Sequence, residues 1–167
     1  MTKILVFSDS HDDISNMQKV IDAEIPDIIL HLGDGWDDIE QLHREYYYDI
    51  PMEHVKGNCD YNSESDIKFL TVAGKNIFMT HGDRYYVKSR LDVLINEGIE
   101  RGADIVLFGH THNPVNIKTD NMIVINPGSI KNTKLRTNEP SYAVITIDED
   151  SSSKDNITSE VKYVYDI

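Results

Sequence analysis

The sequence predicts an α/β protein in which helices cover the outside of one mixed sheet or of two sheets. Short apolar runs, typical of buried strands, alternate with segments of helical periodicity in the first third of the chain. Two later pairs of strand-like segments are joined by short turns, as in β-hairpins. The composition is ordinary for a globular protein, with 40% hydrophobic and 27% charged residues among 167. We therefore expect a single domain over residues 1–167.

The first third of the chain predicts a β-α-β-α-β order. The predicted strands are residues 3–7, 27–32 and, more weakly, 52–55, and the predicted helices are residues 12–23 and 37–45. The first helix carries Ile14, Met17, Val20 and Ile21 at helical spacing. Such an order favours parallel strands with helices packed outside them.

The rest of the chain predicts two hairpins, one helix and the last strands. The predicted hairpins pair residues 67–72 with 77–79 and residues 115–118 with 122–125. The predicted helix is 89–101, ending before Gly102, and the remaining predicted strands are 105–108, 142–147 and 161–164. An acidic, serine-rich segment, 148–156, is expected to form the loop between the last two strands.

The net charge of the chain indicates which classes of partner it can bind. There are 16 Lys and Arg against 29 Asp and Glu, a formal net charge of −13. Because such a surface repels phosphate backbones, we expect no strong binding of nucleic acids. A bound cation can still reverse the sign locally and admit a small phosphorylated substrate.

Cysteine usage and hydropathy indicate the compartment. Cys59 is the only cysteine, which excludes an internal disulfide and a cysteine-based zinc cluster and is typical of a reducing environment. The N-terminal apolar run is too short for a signal peptide, and no window reaches the roughly 18 apolar residues of a membrane span. We therefore expect a soluble cytoplasmic protein without membrane association. The tyrosine clusters 46–48 and 85–86 indicate packing or a contact in a homo-oligomer.

Five apolar runs end directly in polar side chains that can bind metal ions. These endings are Ser8-Asp9-Ser10-His11, Gly33-Asp34-Gly35-Trp36-Asp37-Asp38, Gly57-Asn58-Cys59-Asp60, Thr80-His81-Gly82-Asp83 and Gly109-His110-Thr111-His112. Since ligand sites form at the carboxyl ends of strands in α/β sheets, we expect the five endings to converge. Most of these motifs are typical of surface turns when taken alone, whereas the two histidines of the last one favour a ligand role. All five in this order predict a metal site of carboxylate, imidazole and amide donors.

Three further histidines follow no such pattern. His31 lies inside an apolar run, which favours a hydrogen-bonded residue of the core or of the surroundings of the site. For His43 and His54 we expect surface positions.

The motifs closely resemble those of the calcineurin-like metallophosphoesterase family, which are D-x-H, G-D-x-x-D, G-N-H-D/E, T-H-G and G-H-x-H. The similarity runs from Met1 to about Ile147. It includes Asn126-Pro127-Gly128-Ser129, Arg136 and Ser141-Tyr142-Ala143, which resemble the ending of the small bacterial and archaeal (YfcE-like) phosphodiesterases. The resemblance implies a four-layer αββα sandwich of two mixed β-sheets flanked by helices, with a two-metal site at one end of the sheets.

The resemblance also implies a set of ligands for two divalent cations. The first cation would be bound by Asp9, His11, Asp34 and His112, and the second by Asp34, Asn58, His81 and His110. Manganese is the expected metal, with nickel, zinc, iron and magnesium as alternatives. Two divalent cations and two carboxylates leave a charge of about +2, which would hold a phosphate ester and a bridging hydroxide.

The same resemblance assigns roles around the metals. Asp34, Asn58 and His81 would act in catalysis through the metals and the bridging water, whereas Asp37 and Asp60 would orient ligating histidines. Cys59 stands where the broad family has a histidine that resembles a general acid, although the small phosphodiesterases often have Cys there. We expect Cys59 to be neither a ligand, since neighbouring side chains tend to point apart, nor essential. Asp83 stands where the same branch commonly has a histidine.

We therefore expect a metal-dependent phosphodiesterase that hydrolyses a small phosphate ester. Two alternatives stay open at this point. One is a catalytically weak protein-interaction scaffold on the same fold, like the retromer subunit Vps29, although all seven implied ligands are present here. The other is a hydrolase of nucleotides or pyrophosphates.

Overall fold

The computed structural model describes residues 1–132 and 139–167, so Arg136 lies outside the described part of the chain. The strands are β1 (Thr2–Phe7), β2 (Ile28–His31), β3 (Met52–His54), β4 (Ile67–Val72), β5 (Lys75–Thr80), β6 (Ile105–Leu107), β7 (Val115–Lys118), β8 (Ile123–Asn126), β9 (Ser141–Ile147) and β10 (Ile157–Tyr163). The helices are α1 (Ser15–Glu24), α2 (Trp36–Glu45) and α3 (Asp92–Glu100), with 3₁₀ turns at Asp83–Tyr85 and Val164–Asp166.

The strands form two five-stranded mixed sheets. The first sheet has the order β10-β9-β1-β2-β3, in which β1, β2 and β3 run parallel and β9 and β10 complete it by antiparallel pairing. The second has the order β4-β5-β6-β8-β7, with β5, β6 and β8 parallel between antiparallel edge strands. Both predicted hairpins are present, as β4–β5 and β7–β8.

The alternation of side chains along the strands divides the core into layers. In β1, Ile4 and Val6 belong to the cluster between the two sheets, whereas Leu5 and Phe7 belong to the cluster that includes residues of α1 and α2. Leu94 of α3 packs with apolar residues on the other face of the second sheet. The order is therefore helix, sheet, sheet, helix, which confirms the four-layer αββα sandwich.

Several element boundaries differ from the predicted ones for local reasons. Helix α1 begins at Ser15 rather than at residue 12, because His11 and Asp12 adopt positive φ angles of 43° and 69° that a helix excludes. Helix α3 begins at Asp92 instead of residue 89, after the left-handed Tyr86. The last strand is Ile157–Tyr163 rather than residues 161–164, because β10 alternates polar residues along an edge strand and lacks a continuous apolar run.

The tyrosine clusters divide between core and surface. Tyr85 is buried beside Phe78, with the ring centroids 6.0 Å apart, and Tyr47 packs against the cluster under α1 and α2. Tyr46, Tyr48 and Tyr86 are exposed, and the homo-oligomer stays a prediction. No helix within the described residues is long and apolar enough to cross a membrane.

Candidate metal centre

The five polar endings meet at one end of the two sheets. Within the first sheet, the amides of Asp9 and His11 donate to the carbonyls of Gly33 and Asp34, both at 3.0 Å. Between the sheets, the amide of His110 donates to Asp9 Oδ2 at 3.1 Å. These bonds fix the loops after β1, β2 and β6 against one another, as the convergence of strand ends predicts.

His81 stands at the centre of one half of the donor cluster. Its Nε2 atom lies 2.9 Å from Asn58 Oδ1, 3.2 Å from His110 Nδ1 and 3.3 Å from Asp34 Oδ2. The Nδ1 atom of His81 donates to the carbonyl of Leu32 at 2.7 Å, which orients Nε2 towards the other donors. These four donor side chains are the second of the two implied ligand sets.

Asp9 organises the other half of the cluster. Its Oδ1 atom lies 3.2 Å from His112 Nε2 and 3.8 Å from His11 Nε2. His11 Nε2 is also 3.7 Å from Asp34 Oδ2, so Asp34 faces both halves. The structure thus brings all seven predicted ligand side chains together in two sets that share Asp34.

Each of the two carboxylates has one oxygen held in place and one presented to the imidazoles. Asp9 Oδ2 accepts hydrogen bonds from the Ser8 hydroxyl at 2.5 Å and from the His110 amide. Asp34 Oδ1 accepts one from the Cys59 amide at 2.7 Å. Asp34 Oδ2 is thus left facing the imidazoles of His11 and His81.

Two buried donor atoms indicate that the cluster is built for a cation. Asp9 Oδ1 and His11 Nε2 are both shielded from solvent, and neither makes a hydrogen bond within the described part of the chain. Leaving a buried polar atom unsatisfied costs about 1–3 kcal/mol, so such atoms call for an explanation. Two groups of three side chains, Asp9-His11-His112 and Asp9-Asp34-His81, present their donor atoms within 4.8 Å of one another. The residues therefore fit a divalent metal ion.

The backbone is unusual at the same positions. Asp9, His11, Asp34, His110 and His112 all have positive φ, between 43° and 69°. Each such residue costs on the order of 1 kcal/mol, and positions of this kind cluster at functional sites. Gly109 allows a close approach of two loops, because a Cβ atom there would lie 2.0 Å from Ser8 Oγ and 2.9 Å from Asp9 Oδ2.

The charged side chains of the cluster shift one another's pKa values. Burial raises the pKa of Asp9, but the close contact with His112 and the charge of His81 outweigh it and lower that pKa. Burial likewise disfavours the charged form of His81, yet its contact with Asp34 and the charge of Asp9 raise its pKa to about 9. Without a cation, the imidazolium of His81 balances the carboxylates, so cation binding has to displace its proton.

The two aspartates expected to orient histidines have other positions. Asp60 accepts four backbone N–H groups with its two oxygens, from Gly57, Asp34, Gly35 and Trp36 at 2.7–3.1 Å, and none of them belongs to a histidine. It therefore clamps two loops together. Asp37 is exposed at the start of α2 and lines a cleft beside the cluster. Within the described residues it makes no hydrogen bond to a histidine that it could orient.

The neighbouring Asp38 was missed by the sequence analysis. It is buried and accepts the Ser10 hydroxyl at 2.5 Å, and that hydroxyl lies 3.0 Å from His31 Nε2. His31 Nδ1 accepts the Gly33 amide, and burial lowers the pKa of His31 to about 4, which keeps the ring neutral. The prediction of His31 as a hydrogen-bonded residue next to the site is therefore confirmed. Two adjacent acids at a helix start give no signal of which one is buried.

Two further expectations were wrong. Asn58 and Cys59 lie on a tight turn rather than in a strand, so their side chains do not point apart: Asn58 Nδ2 is 3.6 Å from Cys59 Sγ. Cys59 Sγ also lies within 4.8 Å of donor atoms of His11 and Asp34. His54 is half-buried instead of lying free on the surface, because its ring meets that of Trp36 edge to face with centroids 4.1 Å apart and its Nε2 lies 2.9 Å from Glu40 Oε1. His43 is half-buried and Asp83 is exposed.

Comparison with known proteins places this site in a family. Residues 2–150 match the family model described as a calcineurin-like phosphoesterase superfamily domain. The chain belongs to the calcineurin-like phosphoesterases. This phosphoesterase is 33% identical to the probable metallophosphoesterase YsnB of Bacillus subtilis over 90% of the chain and 87% of that protein. The expected enzyme class, metallophosphoesterase, is thereby confirmed.

Two other comparisons concern a curated relative and a solved structure. It is 29% identical to the phosphodiesterase MJ0936 of Methanocaldococcus jannaschii, over 75% of the chain and 82% of the relative. Its fold is similar to that of Vps29 from Entamoeba histolytica, solved in complex with zinc, with a TM-score of 0.72, 18% identity and coverage of 97% and 99% of the two chains. At that identity, the second comparison concerns the fold alone.

Proposed function

We propose that this metallophosphoesterase hydrolyses small phosphodiesters and that it binds two divalent cations, with manganese as the expected metal. The observation that carries the proposal is the convergence of seven donor side chains in two sets that share Asp34. The family supports phosphoester chemistry in general, and the relative named a phosphodiesterase supports the diester. The single cysteine supports a cytoplasmic location, and the homo-oligomer remains part of the proposal.

The seven donor side chains would bind the two cations in two sets. Asp9, His11, Asp34 and His112 would hold one cation, and Asp34, Asn58, His81 and His110 the other. When bound, the cations supply Lewis acidity that polarises a phosphoryl oxygen and lowers the pKa of water towards neutrality. The two carboxylates offset about half of the +4 charge, and the remaining charge attracts one phosphate ester in an otherwise acidic protein.

The turn that carries Cys59 favours esters with good leaving groups. Cys59 is exposed in the cleft beside the donors, where the broad family has an imidazole. Without a group suited to protonate a poor leaving group, hydrolysis is limited to esters whose leaving group departs as a stable anion. The scaffold alternative is less well supported, because a scaffold needs neither five donors in left-handed conformations nor unsatisfied buried donor atoms.

The proposal is tested on protein stripped of metal and reloaded separately with Mn²⁺, Ni²⁺, Zn²⁺ or Mg²⁺. Elemental analysis should find two ions per chain, and turnover of phosphate diesters should exceed that of monoesters when rates are normalised to metal content.

Asp34→Asn should abolish nearly all turnover and weaken the binding of both ions, because the shared donor loses its charge. The control His43→Ala, on the outer helix α2, should match wild type. One bound ion, or normal turnover in Asp34→Asn, would refute the shared two-cation site.

A further inference from the structure

We infer that the cleft beside the metal-donor cluster selects phosphodiesters whose second substituent carries a positive charge, such as a quaternary ammonium group. The inference rests on the proposed function, because it assigns the substituent that accompanies the reacting phosphate. It concerns a cleft of about 510 Å³ that opens directly beside His11 and Asp34.

The lining of the cleft is strongly acidic. Among the described residues that line it, six side chains are carboxylates and none is Lys or Arg. Asp12, Asp37 and Glu64 are exposed, so their charges face the solvent of the cleft. A substituent bound there lies among negative charges, whereas the phosphate it carries lies at the cation-binding donors. That distribution matches a zwitterionic diester.

A helix start that lines the cleft already has a carboxylate against its first amides. The N-terminus of α2 lines the cleft, and free N–H groups at a helix start commonly bind phosphates. Here the amides of Asp34, Gly35 and Trp36 all donate to Asp60, at 2.8, 3.1 and 3.1 Å. A second phosphate bound there, as in a nucleotide or pyrophosphate, would therefore bring its negative charge next to the Asp60 carboxylate.

Two aromatic side chains add a recognition element for ammonium groups. Trp36 and Tyr61 line the same cleft as the exposed carboxylates. Tyr61 is 99% exposed, so its ring packs on no other part of the described chain and is available to a ligand. Aromatic rings attract ammonium cations through their negative faces, and the attraction is strongest for tryptophan. Carboxylates and aromatic rings around one cleft therefore favour a cation over a neutral group of the same shape.

A matched pair of substrates isolates the charge of the substituent. 4-Nitrophenyl phosphocholine and 4-nitrophenyl 3,3-dimethylbutyl phosphate have the same leaving group and nearly the same shape, but only the first has a cationic substituent. With manganese-loaded enzyme, we expect kcat/KM to be about tenfold higher for the choline ester at low salt and the ratio to shrink as salt rises. Glu64→Gln and Trp36→Leu should each lower the ratio, whereas Asp49→Asn, an exposed acid outside the cleft, should preserve it. A ratio of one in the wild type refutes the inference.

Binding to metal-free protein separates this inference from the proposed function. Trp36 is the only tryptophan, so intrinsic fluorescence reports on the cleft. Choline should change the emission at concentrations about tenfold lower than its neutral isostere 3,3-dimethylbutanol does. If neither ester is hydrolysed but choline is preferred, the proposed function fails and the selectivity of the cleft stands. If both esters are hydrolysed equally and both small molecules bind alike, the function stands and the inference is overturned.

Discussion

Because Asp60 clamps two loops together, we expect the nearly isosteric substitution Asp60→Asn to destabilise the protein strongly. In Asp60→Asn the side chain keeps its shape, but one of its two oxygens becomes an NH₂ group. Oδ1 accepts the amides of Gly35 and Trp36, and Oδ2 accepts those of Asp34 and Gly57. Whichever way the new amide is oriented, two backbone N–H groups face a donor instead of an acceptor.

The expected cost follows from these contacts. A hydrogen bond to a charged group contributes about 1.5–3 kcal/mol, and an N–H group left without an acceptor adds to the loss. Because Asp60 is only half-buried, water can restore part of the lost bonding. We therefore expect Asp60→Asn to lower the free energy of unfolding by about 3 kcal/mol. With a urea m-value of about 2 kcal/mol/M, the midpoint should fall by about 1.5 M.

Urea unfolding of metal-free protein measures this effect without a contribution from bound ions. The matched control is Asp37→Asn, which makes the same chemical change at an exposed acid and should stay within about 0.5 kcal/mol of wild type. Manganese should also bind more weakly to Asp60→Asn, because the clamp holds the amides that flank Asp34 and Asn58. A loss of stability below about 1 kcal/mol in Asp60→Asn, or an equal loss in the control, would show that Asp60 does not clamp the loops.

Two further predictions concern Cys59 and His81. Cys59→His should raise turnover of monoesters and of diesters with poor leaving groups by about 100-fold, by supplying a general acid, while a nitrophenyl diester changes much less. Cys59→Ser should keep most activity towards that diester, and its loss at full metal content would reveal a direct role for the thiol. Since the pKa of His81 is about 9 in the metal-free protein, manganese should displace about one proton at pH 7.5 and bind more tightly as the pH rises towards 9. Calorimetry in buffers of different ionisation enthalpy counts the protons released on binding. If no proton is released, His81 does not carry the positive charge that balances the carboxylates in the metal-free protein.

The sequence by itself determined the order of elements and the positions of the donors. An apolar run that ends in Gly-Asp or Gly-His is a local pattern, and parallel strands bring such endings to one edge. The convergence of Asp9, Asp34, Asn58, His81 and His110 could therefore be predicted before the structure was known. The helix starts were less predictable, because the left-handed backbone at His11 and Asp12 belongs to the site rather than to the helix that follows.

Only the tertiary structure decided which polar side chains support those donors. Asp37 and Asp38 are adjacent acids on the same helix, yet only Asp38 reaches the buried Ser10. The partners of Asp60 and the placement of His54 under Trp36 likewise depend on loops that meet from separate parts of the chain. The contact between Asp9 and His110 spans 101 residues and crosses from one sheet to the other. Periodicity reports the burial of one segment at a time, and such pairings between segments exist only once both sheets have packed together.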